Sequence, residues 1–97
     1  MYIKAFTDYL KLEKKYSLHT VIAYKRDLES FISFCQEEFQ NSDFRTVNYN
    51  EIRSWIVSLS QQGISNRSIN RKITALNSLY KFLLKKEDLQ ANPLAKN

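Results

Sequence analysis

The chain has 97 residues, 43% of them hydrophobic, with a formal net charge of +5. That suffices for one domain around one core, and no apolar run approaches the ~20 residues of a membrane span. A single cysteine, Cys35, excludes an intramolecular disulfide, and a single glycine excludes a glycine-rich phosphate loop. With no signal-peptide pattern, the expected setting is reducing and cytoplasmic. One Gly and one Pro in the whole chain favour long helices.

The charge is unevenly spread. Residues 1–26 hold six basic and two acidic groups, residues 27–51 one and six, and residues 52–97 eight and two. The segment charges are +4, −5 and +6. Basic ends flanking an acidic middle suit a polyanion held on one side of the fold.

Four helical segments follow in chain order. The first runs from Tyr2 to Lys15, with Ile3, Phe6 and Leu10 at helical spacing and Lys11, Lys14 and Lys15 at its negative end. Ser17 reads as the N-cap of the second, Leu18 to Glu38, whose core stripe is Val21, Tyr24, Leu28, Phe31 and Cys35. Residues 39–47 read as a polar loop marked by Asn41, Ser42 and Asp43. Asn48 and Glu51 form a capping-box-like start for the third helix, whose apolar face is Ile52, Trp55, Ile56 and Leu59. Gly63 stands where a left-handed residue should close that helix. Ser65 caps the fourth, which runs to about Lys86 on Ile69, Ile73, Leu76, Tyr80 and Leu83, widened by Leu79 and Phe82. Asn92–Pro93 blocks further helix. The expected fold class is all-α, with a core domain over residues 1–91 and a linker starting at 92–97. There is no internal repeat.

Catalytic constellations are absent from this reading. His19 and Cys35 lie 16 residues apart on one helix, roughly 24 Å at about 1.5 Å per residue. Neither has a second metal-binding partner. Glu37–Glu38 reads as a solvated helix end, Trp55 as core packing, and none of the six tyrosines has an Arg and His set to activate it. No cofactor, metal or catalytic residue is expected.

The start of the fourth helix is the most suggestive stretch. Ser65, Asn66, Arg67, Ser68, Asn70, Arg71, Lys72 and Thr74 surround the core positions Ile69 and Ile73. These side chains suit phosphates and base edges, and a helix N-terminus adds its own attraction for anions. No acid occurs from Gly63 to Leu84. Cations at a helix start oppose the dipole, so they call for a reason. The second helix start repeats the idea with Lys14, Lys15, Ser17, His19, Thr20, Lys25 and Arg26.

These residues also carry a resemblance. Lys15-Tyr16-Ser17-Leu18-His19-Thr20 with Tyr24-Lys25-Arg26-Asp27-Leu28 resembles the pattern G-x-S-x-x-T-x-x-x-Y-x-x-D-L of the tyrosine recombinase (phage-integrase, Xer-like) family. Gly63-Ile64-Ser65-Asn66-Arg67-Ser68-Ile69-Asn70-Arg71, continuing to Ala75-Leu76, resembles its G-x-S-x-x-S-I-x-R-x-x-x-A-L. Asn92-Pro93 resembles the pair that closes this domain. The departure is assigned to Tyr16, where the family often has glycine.

The resemblance implies a four-helix, SAM-like orthogonal bundle of the integrase N-terminal type, the core-binding domain. In that family two helices, matched here by the second and fourth, face the major groove of double-stranded DNA at a recombination half-site. Cleavage through a 3′-phosphotyrosine link, without metal or nucleotide cofactor, belongs to a catalytic domain of the same parent chain. Neighbouring recombinase protomers are further expected partners; a membrane is not. Two other readings compete. One is a stand-alone helix-turn-helix regulator built on Trp55–Leu59, Gly63 and the Ser65 helix. The other is a protein-interaction module using Tyr2, Tyr9, Tyr16 and Tyr49.

Overall fold

Each serine or asparagine cap expected from the sequence starts a helix in the computed structural model, which describes residues 2–86 and 91–94. Helix α1 covers Tyr2–Leu12, α2 Leu18–Phe39, α3 Tyr49–Gln61 and α4 Asn66–Lys85. No strand occurs among the described residues. Of the linker expected over 92–97, residues 95–97 lie outside those described.

Helix α1 ends three residues before Lys15. The Lys14 N–H bonds back to the Tyr9 carbonyl (3.2 Å), and the Tyr16 N–H bonds to Leu10 (3.0 Å). These closures turn the chain so that Ser17 can cap α2. Of the expected basic end, only Lys11 lies in the last turn. The left-handed residue in the turn is Lys15, with φ at 55°. Counting back from Ser17, the glycine of G-x-S also falls on Lys15. The departure from the family pattern is therefore at Lys15 and not at Tyr16. A lysine holds a conformation that glycine adopts freely, at about 1 kcal/mol.

Helix α2 packs against all three other helices, and α3 also packs on α4. The stripes meet as their spacing demands: Phe6, Leu10, Leu28, Phe31, Cys35, Ile52, Trp55, Leu76, Tyr80 and Leu83 are all buried. Tyr24 is half-buried at the edge of the core, its ring edge-on to Tyr16. The Phe31 ring lies 4.9 Å from Trp55 and 6.2 Å from Phe44, centroid to centroid.

Phe44 belongs to the segment read from sequence as a polar loop. It opens a 3₁₀ turn, Phe44–Thr46, capped by Asp43, and both Phe44 and Val47 are buried. The buried Tyr80 hydroxyl donates to the Phe44 carbonyl at 2.9 Å, fixing the turn against α4. Gly63 closes α3 as expected, at φ 83°. Its N–H bonds to Ser60 and that of Ile64 to Leu59, the pair of bonds of a Schellman motif. The chain returns to α4 beyond its end. Asn92 donates to Asn77 at 2.9 Å, its own Oδ1 accepts from the Leu94 N–H, and Leu94 packs on the core.

Candidate nucleic-acid interface

Every helix N-terminus exposes backbone N–H groups that lack intrahelical partners. In α2 the Ser17 hydroxyl accepts one of them, from Thr20 at 3.2 Å, and lies 3.0 Å from the Thr20 hydroxyl. In α4 the Ser65 hydroxyl accepts from the Ser68 N–H at 3.2 Å and donates to the Ser68 hydroxyl at the same distance. Neither helix has an acid in its first turn. The positive ends of both dipoles are thus left without an internal counter-charge. Helix α3 is the contrast: its first turn contains Glu51, whose carboxylate accepts from the Asn48 N–H while Asn48 accepts from Glu51. Of the three N-termini with a described cap, two are open to an anion and one is closed.

Where α2 and α4 pack together lies an acid that the sequence showed only as a position of the family pattern. Asp27, on α2, is only 2% exposed. From α4, Arg71 donates Nε to its Oδ2 (3.1 Å) and Nη2 to its Oδ1 (3.0 Å), while Lys72 Nζ donates to Oδ1 at 2.9 Å. A carboxylate this deep requires such partners. The two cations play different parts. The Lys72 side chain is 16% exposed, whereas the Arg71 side chain is 48% exposed. Asp27 takes two nitrogens of the Arg71 fork and leaves the rest of the guanidinium facing solvent, already oriented. Tyr24 stands beside this cluster. Burial raises its hydroxyl above the ordinary tyrosine range, the Tyr16 and Asp27 charges add to that, and Arg71 opposes it.

The remaining expected contacts divide by position. Lys15, Ser17, His19, Lys25, Arg26, Ser65, Asn66, Arg67, Asn70 and Thr74 are exposed; Thr20 and Ser68 are half-buried. Lys25 precedes Asp27 by two residues and so lies about 160° around α2 from it. It faces away from the α2–α4 seam. Arg67, Arg71 and Thr74 share one stripe of α4, and the same three- and four-residue steps continue to Ser78, Lys81 and Lys85. Beyond Thr74 these positions follow from the same polar spacing in the sequence. The acidic Glu37–Glu38 pair is exposed at the other end of α2, roughly 27 Å from His19 at about 1.5 Å per residue.

Other chemistry finds little purchase. No group of three His, Cys, Asp or Glu side chains converges among the described residues. Cys35 is fully buried, and burial, with Glu51 adding, pushes its thiol up to about 12. No described helix is long and apolar enough to cross a membrane. The α3–α4 connection, Gln62–Ser65, is short, but α4 has 20 residues, long for a recognition helix. Of the tyrosines considered for a protein interface, Tyr9 packs against Phe6 and Phe82, and Tyr16 against Tyr24. The Tyr2 side chain lies outside the described residues.

Comparison with known proteins adds independent findings. The profile described as "Phage integrase, N-terminal SAM-like domain" matches residues 3–87. Relatives named "Tyrosine recombinase XerC" are 39% identical over 93 residues in Anoxybacillus flavithermus and 40% over 93 residues in Oceanobacillus iheyensis. Each of these alignments covers 96% of this chain. In Bacillus subtilis a relative of the same name is 35% identical over 92 residues, or 95% of the chain. The chain spans 31%, 30% and 30% of the lengths of these three relatives. No solved structure matches significantly.

Proposed function

The chain belongs to the phage integrase N-terminal SAM-like domain family, and from that premise we propose that it is the DNA-binding arm of a site-specific tyrosine recombinase. It grips duplex DNA at a recombination half-site. Bond cleavage is the work of a catalytic domain elsewhere in the parent chain, and neighbouring protomers are further partners.

The observation that carries this reading is the pairing of two anion-receptive helix starts with the half-exposed Arg71 guanidinium where α2 and α4 meet. Arg67, Asn70 and Thr74 on α4, and His19 and Arg26 on α2, are the outward contacts. Ser17, Thr20, Ser65, Asn66 and Ser68 offer hydroxyls, amides and free backbone N–H groups to phosphates. Lys15 and Lys25 contribute charge from the periphery. Asp27 and Lys72 are positioning residues: Lys72 fixes Asp27, and Asp27 holds Arg71 in one orientation, which a bidentate contact to a guanine edge or a phosphate requires.

The test is duplex binding by fluorescence anisotropy across a salt series. The wild-type logarithmic slope should fall by about 0.9 for each phosphate contact removed. Arg67→Ala should weaken binding, make the slope shallower and leave thermal unfolding unchanged. Absence of binding at low salt, or an unaltered slope in Arg67→Ala, overturns the proposal.

A further inference from the structure

A further collection of cations lies toward the C-terminal end of α4, on the stripe that carries Arg67 and Arg71. The end of α1, the turn into α2 and the C-terminal half of α4 enclose a cavity of about 360 Å³. That is at the lower end of the range for small-molecule sites. Lys14, Lys81 and Lys85 line it, together with the hydroxyl-bearing side chains of Tyr9, Tyr16 and Ser78; no acid does. The Lys85 ammonium sits 5.8 Å from the Tyr9 ring centroid, a cation–π contact against the wall.

Solvated lysines are common, but those of the neighbouring helix have an acid partner. On α1, Lys4 and Lys11 both pair with Asp8. Lys14, Lys81 and Lys85 pair with no acid among the described residues. Three ammonium groups around one cavity repel one another unless an anion is present. The charged and hydroxyl side chains of the wall suit a group with several acceptor oxygens and more than one negative charge. A phosphate meets that description better than a carboxylate.

We propose that this cavity is a phosphate-binding site, distinct from the two capped helix starts. Lys81 lies ten residues beyond Arg71, about 15 Å along the helix. The phosphate chemistry stands on the cavity alone. A backbone phosphate of bound duplex is one source, and that assignment rests on the DNA-binding reading; a free phosphorylated compound is the other.

The experiment has two arms, both comparing the 97-residue chain with a Lys14→Gln/Lys81→Gln variant. Both lysines are exposed, and thermal unfolding verifies that the variant folds. In the first arm, inorganic pyrophosphate is titrated in chloride buffer into ¹⁵N-labelled protein. Amide shifts should concentrate at Lys14, Tyr16, Ser78 and Lys81, spare Ser65 to Ser68, and vanish in the variant. In the second arm, the salt dependence of duplex binding is measured, and the variant's slope should be shallower by about 0.9 to 1.8. A slope change, with or without pyrophosphate shifts, supports the site and assigns it to the DNA backbone. Localised pyrophosphate shifts with an unchanged slope support it and assign it to a free compound. If wild type binds no duplex but titrates with pyrophosphate at these amides, the DNA reading fails and the cavity proposal stands. Diffuse or absent shifts together with no slope change overturn it.

Discussion

Asp27 and Glu51 are both nearly buried, at 2% and 5% exposure, yet one faces two cations and the other faces only amides. Glu51 accepts from the Asn41 side chain at 3.2 Å and from the Asn48 backbone at 3.1 Å. Its partners lie in the adjoining loop, and its charge also suits the α3 dipole. Asp27 draws its partners from α4, 44 and 45 residues away in sequence. The first carboxylate starts a helix; the second joins two helices and leaves an arginine facing solvent. A buried acid satisfied by amides is complete, whereas one satisfied by a half-exposed arginine leaves donors for something else.

The most severe way to break this contrast is Asp27→Ala. It leaves Arg71 and the mostly buried Lys72 side by side without a counter-charge. A loss of about 3 kcal/mol is expected, toward the lower end for broken buried pairs because water reaches Arg71. That corresponds to a fall in Tm of more than about 10 °C. A loss below about 1 kcal/mol in urea unfolding would mean that the cluster adds little to stability.

Arg71→Ala comes next. Asp27 keeps Lys72, so about 1–2 kcal/mol should be lost, against less than about 0.5 kcal/mol for the exposed Arg67→Ala. Both should weaken duplex binding. Equal unfolding midpoints for the two variants would remove the structural role assigned to Arg71. Glu51→Gln is expected to cost about 1 kcal/mol, since an amide oxygen retains one of the two accepted bonds but loses the charge in the first turn. Duplex affinity should not change. An affinity loss there would erase the distinction between the closed and open helix starts.

The last effect is absent at neutral pH and appears only in alkali. The Cys35 thiol ordinarily ionises near 9.0 and is pushed up to about 12 in the fold. The folded state holds its proton more tightly, so this contribution is intact below pH 9 and is lost as pH rises from 9 to about 12. Buried Tyr80, also raised, acts in the same direction above pH 10. The urea midpoint should begin to fall above pH 9, and thiol reagents should label Cys35 only as fast as the chain opens. Rapid labelling of the native protein would contradict its burial.

The same two carboxylates mark what could be read from the sequence. Asn48 and Glu51 are three residues apart, so their reciprocal bonds are a local signature, as are the serine caps, Gly63 and the three-and-four stripes. Asp27 is a position of the family pattern, but nothing within one helical turn announces that it is buried. Its partners become visible only once α2 and α4 pack. Phe44 and Val47 escaped for a related reason: a three-residue 3₁₀ turn is too short to show a period. Lys14 and Lys15 continue the composition of α1 smoothly, and only the backbone reversal at Lys15 reveals that they have left it.

The clasp made by Asn92 and Leu94 has a mechanical consequence. The chain beyond α4 is anchored to Asn77, near the helix's midpoint, and not left at its C-terminal end. Asn77 is one turn from both Thr74 and Lys81. In this geometry the chain beyond α4 touches the helix within one turn of the polar stripe, so a change at Asn92 or Leu94 is felt beside Thr74 and Lys81 as well as at the helix end.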